Sequence, residues 1–271
     1  MLYHHCDNQV ALCSLILMRT VVNTTNLVRK VKKSLDGLVS FYEDGHKYVV
    51  CSTGESLISA SQLIKKFSNK FDPDKSILKR CAVREGIPPD ELAARWDKKR
   101  EDSATYGTAV HAELEHFINH RVIRKSDYSD IVEDFSKIKF AGELKSEMLL
   151  HSISDGIAGM TDLVCFKDGD TCSIADFKTS EAIKKNAFFG RGRPQQMMLP
   201  PLSHYPDSNY WHFALQISTY AYLLDLQGYW IRDLAIFWIN PKSRELERIT
   251  VDYLRGDVKR MLADFRVKSN S

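Results

Sequence analysis

Two acidic residues and a lysine lie close together in the segment 159–180, whose sequence is GMTDLVCFKDGDTCSIADFKTS. Two apolar runs flank a Lys-Asp-Gly-Asp turn, and an Asp-Gly pair between alternating apolar residues predicts a β-hairpin. Because successive side chains of a strand point to opposite faces, Asp176 and Lys178 share one face while Phe177 points to the other. Asp162, on the preceding strand, can then lie opposite them.

Two carboxylates and an ammonium group in this arrangement are suited to metal-assisted hydrolysis. A phosphodiester resists attack because its negative charge repels the nucleophile, and Mg²⁺ or Mn²⁺ held by carboxylate oxygens lowers that barrier. Asp162 and Asp176 would supply the carboxylates, and Lys178 would orient the water and stabilise developing charge. Taken alone, a D-x-K hairpin is more often a solvated ion pair. The surrounding motifs therefore decide the interpretation.

Polar pairs at helical spacing flank this hairpin in the sequence. Upstream, His111 and Glu115 are four residues apart in a segment with an apolar stripe, which predicts a helix with both side chains on one face. Downstream, Gln216 and Tyr220 are also four apart in a second helical pattern. Either pair alone fits an ordinary core helix with a buried histidine or a tyrosine at its rim. Their order around the hairpin is the discriminating observation.

The ordered set of motifs resembles the PD-(D/E)xK nuclease superfamily, specifically its RecB-like and phage exonuclease branch. The order is G-x-x-x-H-x-x-x-E, then E, then G-x-x-D, then D-x-K, then Q-x-x-x-Y. It covers roughly residues 104–225, and weaker similarity extends from about Leu38 to the C terminus. The matching residues are Gly107, His111, Glu115, Glu147, Gly159, Asp162, Asp176, Lys178, Gln216 and Tyr220.

The resemblance implies a role for each of these side chains. Glu115, Asp162, Asp176 and the backbone carbonyl of Phe177 would form the metal site, and Lys178 would be the catalytic lysine. The four remaining residues have less direct roles. His111 would be an accessory ligand or a phosphate contact, Gln216 and Tyr220 would position the catalytic strand or the substrate, and Glu147 is either a site carboxylate or a carboxylate at the rim.

The resemblance also implies the fold and the cofactor. The expected fold is α/β, with a restriction-endonuclease-like core in which helices flank a central mixed β-sheet, and with an N-terminal helical and hairpin extension. We expect an N-terminal extension over residues 1–37 and one nuclease domain over residues 38–271, with a catalytic core at about 104–251. One or two Mg²⁺ or Mn²⁺ ions are the expected cofactors.

The implied activity is that of a metal-dependent deoxyribonuclease, most simply a phage-type DNA exonuclease in recombination, replication or genome processing. An endonuclease acting on branched or flapped DNA is the close alternative, since the same site serves both. A nucleic-acid-binding protein with this fold but without turnover is a second alternative, although every expected catalytic residue is present. A hydrolase of small phosphate esters is disfavoured because the chain has no P-loop.

Six cysteines are scattered along the chain without C-x-x-C spacing. Some RecB-like nucleases hold an iron–sulfur cluster through three cysteines after the Q-x-x-x-Y helix, but here no cysteine follows Cys172, so no such cluster is expected. Reduced thiols predict a cytoplasmic protein, in the host cytoplasm if it is phage-encoded. The apolar run 11–18 is too short to span a membrane, so no membrane partner is expected.

The chain has 271 residues and a net charge of +3, which is too small by itself to indicate a nucleic-acid partner. Basic residues nevertheless cluster at 95–100 and at 184–193, where a solvated surface is the alternative. The second cluster lies in a long connection, 184–211, that we expect to form a flap over DNA. Its candidate DNA-binding residues are Lys184, Lys185, Arg191 and Arg193.

Overall fold

The structure is a computed structural model that describes residues 31–69, 75–187 and 194–269. It contains nine strands in one sheet. The strands are β1 (Val31–Lys33), β2 (Val39–Tyr42), β3 (Lys47–Val50), β4 (Ser56–Ser59), β5 (Glu143–Ser152), β6 (Ile157–Lys167), β7 (Thr171–Lys178), β8 (Trp230–Ile239) and β9 (Leu246–Val251). The helices are α1 (Ala60–Lys65), α2 (Lys75–Glu85), α3 (Pro89–His120), α4 (Ser129–Ser136), α5 (Asn209–Leu226) and α6 (Arg255–Ser269).

The sheet combines parallel and antiparallel pairs. Strands β4 and β6 are parallel, as are β7 and β8, whereas the β5–β6, β6–β7 and β8–β9 pairs are antiparallel. The parallel β7–β8 pair requires a crossover connection, which α5 provides. The predicted α/β class with a central mixed sheet flanked by helices is therefore confirmed, and the architecture is consistent with a restriction-endonuclease-like core.

Two apolar clusters cover opposite faces of the sheet. Helices α3 and α4 pack with Leu163, Ala175 and Phe177, whereas α1, α5 and α6 pack with Val164 and Ile174. Neighbouring residues of one strand thus serve different clusters, as the period of two requires. Strand β7 is therefore packed from both sides, and each fully buried large apolar side chain in these clusters contributes about 2 kcal/mol.

Helix α3 is longer than the sequence patterns indicated. The sequence predicts a helical run that starts at Pro88-Pro89 and continues through Arg100, and a second helix over residues 106–118, but the structure has a single helix of 32 residues. Pro88 is its N-cap residue, and the helix ends before Arg121, which has a left-handed φ of 57°. No proline interrupts the segment between the two predicted helices, so the chain stays helical up to the candidate site.

The N-terminal elements follow the sequence closely, except at the domain boundary. Strands β2 and β3 form the predicted hairpin around Asp44-Gly45, and Ser59 and Gln62 make the predicted capping box at the start of α1. However, β1 pairs with β2 and belongs to the same sheet. The domain therefore includes β1, which we had assigned to the 1–37 extension. Residues 1–30 of that extension lie outside the described part of the chain.

The predicted flap is only partly a surface feature. Met198 and Leu202 are almost fully buried, and the Leu199 N–H donates to the Phe67 carbonyl over 2.7 Å. This part of the 184–211 segment is therefore anchored in the core, and its last residues form the start of α5. Residues 188–193, which include Arg191 and Arg193, lie outside the described residues.

No helix within residues 31–69, 75–187 and 194–269 has the length and apolar character of a membrane span.

Candidate metal centre

The candidate site lies where strand β6 parts from its neighbours. Strand β5 pairs with one edge of β6 from Ile157 to Phe166. The other edge is shared: β4 pairs at Ile157 and Ala158, and β7 pairs from Leu163 onwards. The residues between these two pairings, 159–162, therefore have an open edge. Asp162 occupies the end of that gap, beside the C-terminal end of β7.

Asp162 connects the two strands of the hairpin through a backbone contact. Its Oδ2 accepts a hydrogen bond of 2.7 Å from the Phe177 N–H, and its Oδ1 lies 3.5 Å from His111 Nδ1. Burial alone would raise the pKa of Asp162, but His111, Lys178 and the Phe177 N–H outweigh it and lower the pKa. Asp162 is therefore an ionised carboxylate, held by the Phe177 N–H at one oxygen and facing His111 with the other.

Asp176 and Lys178 form an ion pair on the same face of β7, as predicted. Phe177 points the other way, where its ring packs edge-on against Phe135. Burial raises the pKa of Asp176 to about 6 and the nearby Asp162 adds to the rise, although Lys178 opposes it. Phe213 of α5 covers Lys178, with 4.9 Å between Nζ and the ring centroid. The lysine is thus held beside both aspartates.

His111 and Glu147 complete the group of ligand atoms around Asp162. One ligand atom from each of these three residues lies within 4.8 Å of the others. The flanking carboxylates Asp162 and Asp176 raise the pKa of His111, although burial opposes this. His111 lies on α3, and its ring packs edge-on against the Phe177 ring. The predicted histidine and both predicted aspartates therefore converge.

Glu147 reaches this group through an irregular backbone. It has a φ of 49°, and the ladder between β5 and β6 omits it between the pairs Ser146–Leu163 and Met148–Thr161. A positive φ is uncommon for a residue other than glycine and is often found at functional sites. The sequence left open whether Glu147 belonged to the site or to its rim, because it starts an apolar strand pattern. In the structure one of its ligand atoms lies within 4.8 Å of those of His111 and Asp162.

Glu115 lies farther from the aspartates than the resemblance implied. Its Oε1 is 3.4 Å from Lys32 Nζ, and the same ammonium is 3.1 Å from Glu147 Oε2. Glu115 is not part of the three-residue group of ligand atoms, so Lys32 is its link to the site. The sequence analysis missed Lys32 because it lies before the predicted domain, in a three-residue strand too short to show a pattern.

Gln216 and Tyr220 contact each other beside β6. The Gln216 amide nitrogen donates to the Tyr220 hydroxyl over 2.7 Å. A Cβ on Gly159 would lie 2.4 Å from Tyr220 Cε1, so only glycine allows the ring to pack against the open edge of β6. The glycine of the G-x-x-D motif and the tyrosine of the Q-x-x-x-Y motif thus depend on each other. The positioning role of the two helical residues stays a prediction.

A cleft of about 310 Å³ opens onto these residues. Its lining includes Asp162, Asp176, Lys178, His111 and Glu147. The β2–β3 hairpin forms the opposite wall through Phe41, His46 and Tyr48, which pack ring against ring. The sequence predicted the hairpin but gave no sign that it faces the site. That contact depends on the sheet order, which brings β4 next to β6.

The predicted DNA-binding lysines lie at the surface beyond this cleft. Lys184 and Lys185 are exposed, and their backbone groups bond to the start of α5 through Asn209, Ser208 and Trp211. Lys185 Nζ lies 4.7 Å from the Tyr210 ring centroid. They are not among the residues that line the cleft, and their role remains a prediction.

The donor set fits Mg²⁺ or Mn²⁺. Both ions favour carboxylate oxygen ligands, and Mn²⁺ also accepts an imidazole nitrogen. Asp162 and Glu147 offer oxygen atoms at one place, with His111 beside them, and Asp176 would join once ionised. A role for the Phe177 carbonyl stays a prediction.

Metal affinity is expected to depend on pH around Asp176. Because its pKa is raised to about 6, the carboxyl holds a proton at pH 5 that a metal ion must displace. We expect Mn²⁺ affinity to fall by at least tenfold per pH unit below about pH 6, since the raised pKa values of Glu147 and His111 add to the competition by protons. Calorimetric titration in two buffers of different ionisation enthalpy would measure the released proton. A flat affinity between pH 5 and pH 7.5 would contradict this assignment.

The same shift has a consequence for the metal-free protein. The folded state keeps a proton on Asp176 that the unfolded chain releases near 3.8. The resulting contribution to stability is present at low pH and is lost as pH rises through about 6. Bound metal would reverse that loss, since it favours the ionised carboxylate.

The ammonium of Lys32 occupies a position between two carboxylates that a metal ion could share. We expect Lys32→Met to raise Mn²⁺ affinity several-fold and to lower the melting temperature of the metal-free protein, because Glu115 and Glu147 then repel each other. Lys33→Met, on the same strand, is the matched control and should change neither quantity. Unchanged metal affinity in Lys32→Met would show that Lys32 and the metal do not compete.

No family model matches the chain, and no curated protein matches its sequence. A solved structure described as "Crystal structure of SSO0001" is similar to it, with 16% identity and a TM-score of 0.35, over 79% of this chain and 76% of that chain. At this TM-score the similarity carries no inference, so the function is argued from the site.

Proposed function

We propose that the protein is a metal-dependent DNA nuclease that hydrolyses phosphodiester bonds, and that it acts as a phage-type exonuclease. The observation that supports this most is the convergence of His111, Glu147 and Asp162 within 4.8 Å, next to the ion pair of Asp176 and Lys178. A structural ion pair alone would not require three further ligand groups on three other elements, α3, β5 and β6. The carboxylates and the lysine together match what hydrolysis of a phosphodiester needs.

Each part of the site has a chemical task in this proposal. Bound Mg²⁺ or Mn²⁺ would neutralise charge on the scissile phosphate and lower the pKa of water. Asp162 and Glu147 hold that ion, and Asp176 joins them in its ionised form. His111 adds a ligand or a phosphate contact. The buried floor of the cleft lowers the local dielectric, which strengthens all of these interactions.

Lys178 acts on the nucleophile. Its ammonium would donate a hydrogen bond to the attacking water and stabilise the negative charge that develops on phosphorus oxygens. The bond from water oxygen to phosphorus forms while the bond to the 3′ oxygen breaks, in line. The products are a 5′-phosphate and a 3′-hydroxyl, since the water loses a proton to solvent and the departing 3′ oxygen takes up a proton from solvent. The partner is DNA, and the proposed location is the cytoplasm.

The test is a cleavage assay on four DNA substrates. End-labelled linear DNA and covalently closed circular DNA, each single- or double-stranded, would be incubated with Mg²⁺, with Mn²⁺ or with a chelator. We expect the linear forms to be degraded in the presence of metal and the circles to remain intact. Lys178→Ala purified in the same way controls for contaminating nucleases.

The other outcomes identify the alternatives. Cut circles that depend on Lys178 would show an endonuclease. Metal-independent binding of DNA without cleavage of any substrate would favour the binding protein. If the protein hydrolysed a small phosphodiester and long DNA did not compete with that reaction, the protein would be a small-molecule hydrolase.

A further inference from the structure

A second cavity, of about 460 Å³, lies beside the site on the far side of Thr179 and Ser180. These two residues directly follow Lys178, so the cavity begins where the catalytic strand ends. Its lining includes four basic side chains and two carboxylates: Arg95, Lys98, Lys99 and Asp102 from α3, Glu181, and Lys242 from the turn after β8. The mechanism described above uses none of them.

The lining residues of α3 share one helix face. They are Arg95, Lys98, Lys99, Asp102, Ser103 and Tyr106, at the three- and four-residue intervals that keep side chains on one side. One residue later, Gly107 approaches Thr179 so closely that a Cβ would lie 2.9 Å from its Oγ1. His111 follows one turn further. The basic face therefore leads along one rigid element to the candidate metal centre.

The distance from the basic residues to the candidate metal centre suits a polynucleotide. Arg95 and His111 are 16 positions apart, which corresponds to about 24 Å along a helix. At 3.4 Å per base-pair step, that distance covers about seven steps of one strand. A small substrate would not extend from one place to the other.

An acidic side chain currently pairs with two of these cations. Glu181 Oε1 lies 2.9 Å from Lys99 Nζ and 4.0 Å from Lys242 Nζ, and all three side chains are at least half exposed. Exposed ion pairs of this kind contribute little to stability. One carboxylate that draws two lysines together from separate elements resembles a phosphate group in its position and charge.

We propose that this cavity binds the phosphodiester backbone of the DNA strand next to the scissile bond, and that Glu181 occupies a phosphate position until DNA displaces it. The inference rests on the proposed function and adds the path that the substrate takes. Displacement is feasible because Glu181 holds the lysines only weakly, whereas binding of DNA to two lysines releases counterions from the strand. The chemistry recognised is the backbone, which single and double strands share.

The experiment measures DNA binding without cleavage. Fluorescein-labelled oligonucleotides of about 30 nucleotides, single-stranded and as duplex, would be titrated in Ca²⁺ or chelator over a range of salt concentrations. We expect Lys99→Ala/Lys242→Ala to weaken binding about tenfold and to reduce the salt slope by about 2 for duplex or about 1.4 for single strands. Whichever DNA, single-stranded or duplex, loses more binding affinity is the one that binds in the cavity.

Glu181→Gln provides the test that misfolding cannot imitate. It should tighten DNA binding several-fold, and this gain should vanish when Lys99 and Lys242 are also replaced by alanine. The matched control is Lys137→Ala/Lys259→Ala, which removes the same charge from exposed positions on other elements. It should leave both affinity and slope close to wild type.

Two results would overturn the inference. One is a salt slope in Lys99→Ala/Lys242→Ala equal to that of the control pair, and the other is unchanged or weaker binding in Glu181→Gln. Either result, with wild-type cleavage intact, would remove this DNA path and leave the proposed function standing. A wild-type protein that neither binds nor cleaves DNA would instead refute the proposed function itself.

Discussion

Replacing Asp176 by asparagine is expected to lower metal-dependent DNA cleavage by a factor of about 10³ or more. Asparagine keeps the size of the side chain but cannot supply a negative charge to the metal or to Lys178. Charge stabilisation of this kind is commonly the largest single term in catalysis. Rates would be measured on linear DNA under saturating Mg²⁺ or Mn²⁺, with the melting temperature followed in parallel.

The melting temperature separates loss of function from loss of folding. Burial already disfavours the charged form of Asp176 and raises its pKa to about 6, so the neutral amide should leave the metal-free protein at least as stable at neutral pH. The stabilisation by added Mn²⁺ should largely disappear. Asp170→Asn, in the exposed turn of the same hairpin, is the matched control. An Asp176→Asn protein with near-normal activity would refute the site assignment.

Replacing Lys178 by alanine is expected to separate chemistry from metal binding. Cleavage should fall by a factor of about 10² to 10³, which is the usual cost of removing one charge-stabilising group. Mn²⁺ affinity should be kept or increased, because the ammonium no longer neutralises Asp176 or repels the incoming cation. Single-turnover cleavage and calorimetric metal titration on the same protein would show both effects.

A control on the same hairpin makes this result specific. Lys167→Ala removes a lysine from β6, where Nζ lies 3.7 Å from Asp168 at the exposed turn, and should change neither cleavage nor metal affinity. If Lys178→Ala lost metal binding and cleavage together, Lys178 would be a structural partner of Asp176. If it lost neither, the proposed catalytic role of the lysine would be wrong.

Local sequence signals were sufficient for the elements that carry most of the site. The Asp-Gly turn and the alternation of apolar residues placed Asp176 and Lys178 on one face and Phe177 on the other, and the structure has this arrangement. The four-residue spacing of Gln216 and Tyr220 also placed them in contact on one helix. Such signals depend on the side-chain period of a strand or a helix, and this period can be recognised from the spacing of residues in the sequence.

The sequence by itself therefore determined the α/β class, the hairpin, the positions of the polar pairs and the chemistry that their types allow. Only the tertiary structure decided that Glu147 lies with His111 and Asp162 while Glu115 reaches the site through Lys32. It also decided that the β2–β3 hairpin and the basic face of α3 border the same centre. These choices depend on a positive φ, on the sheet order and on contacts between residues as many as 115 positions apart, none of which a local period records.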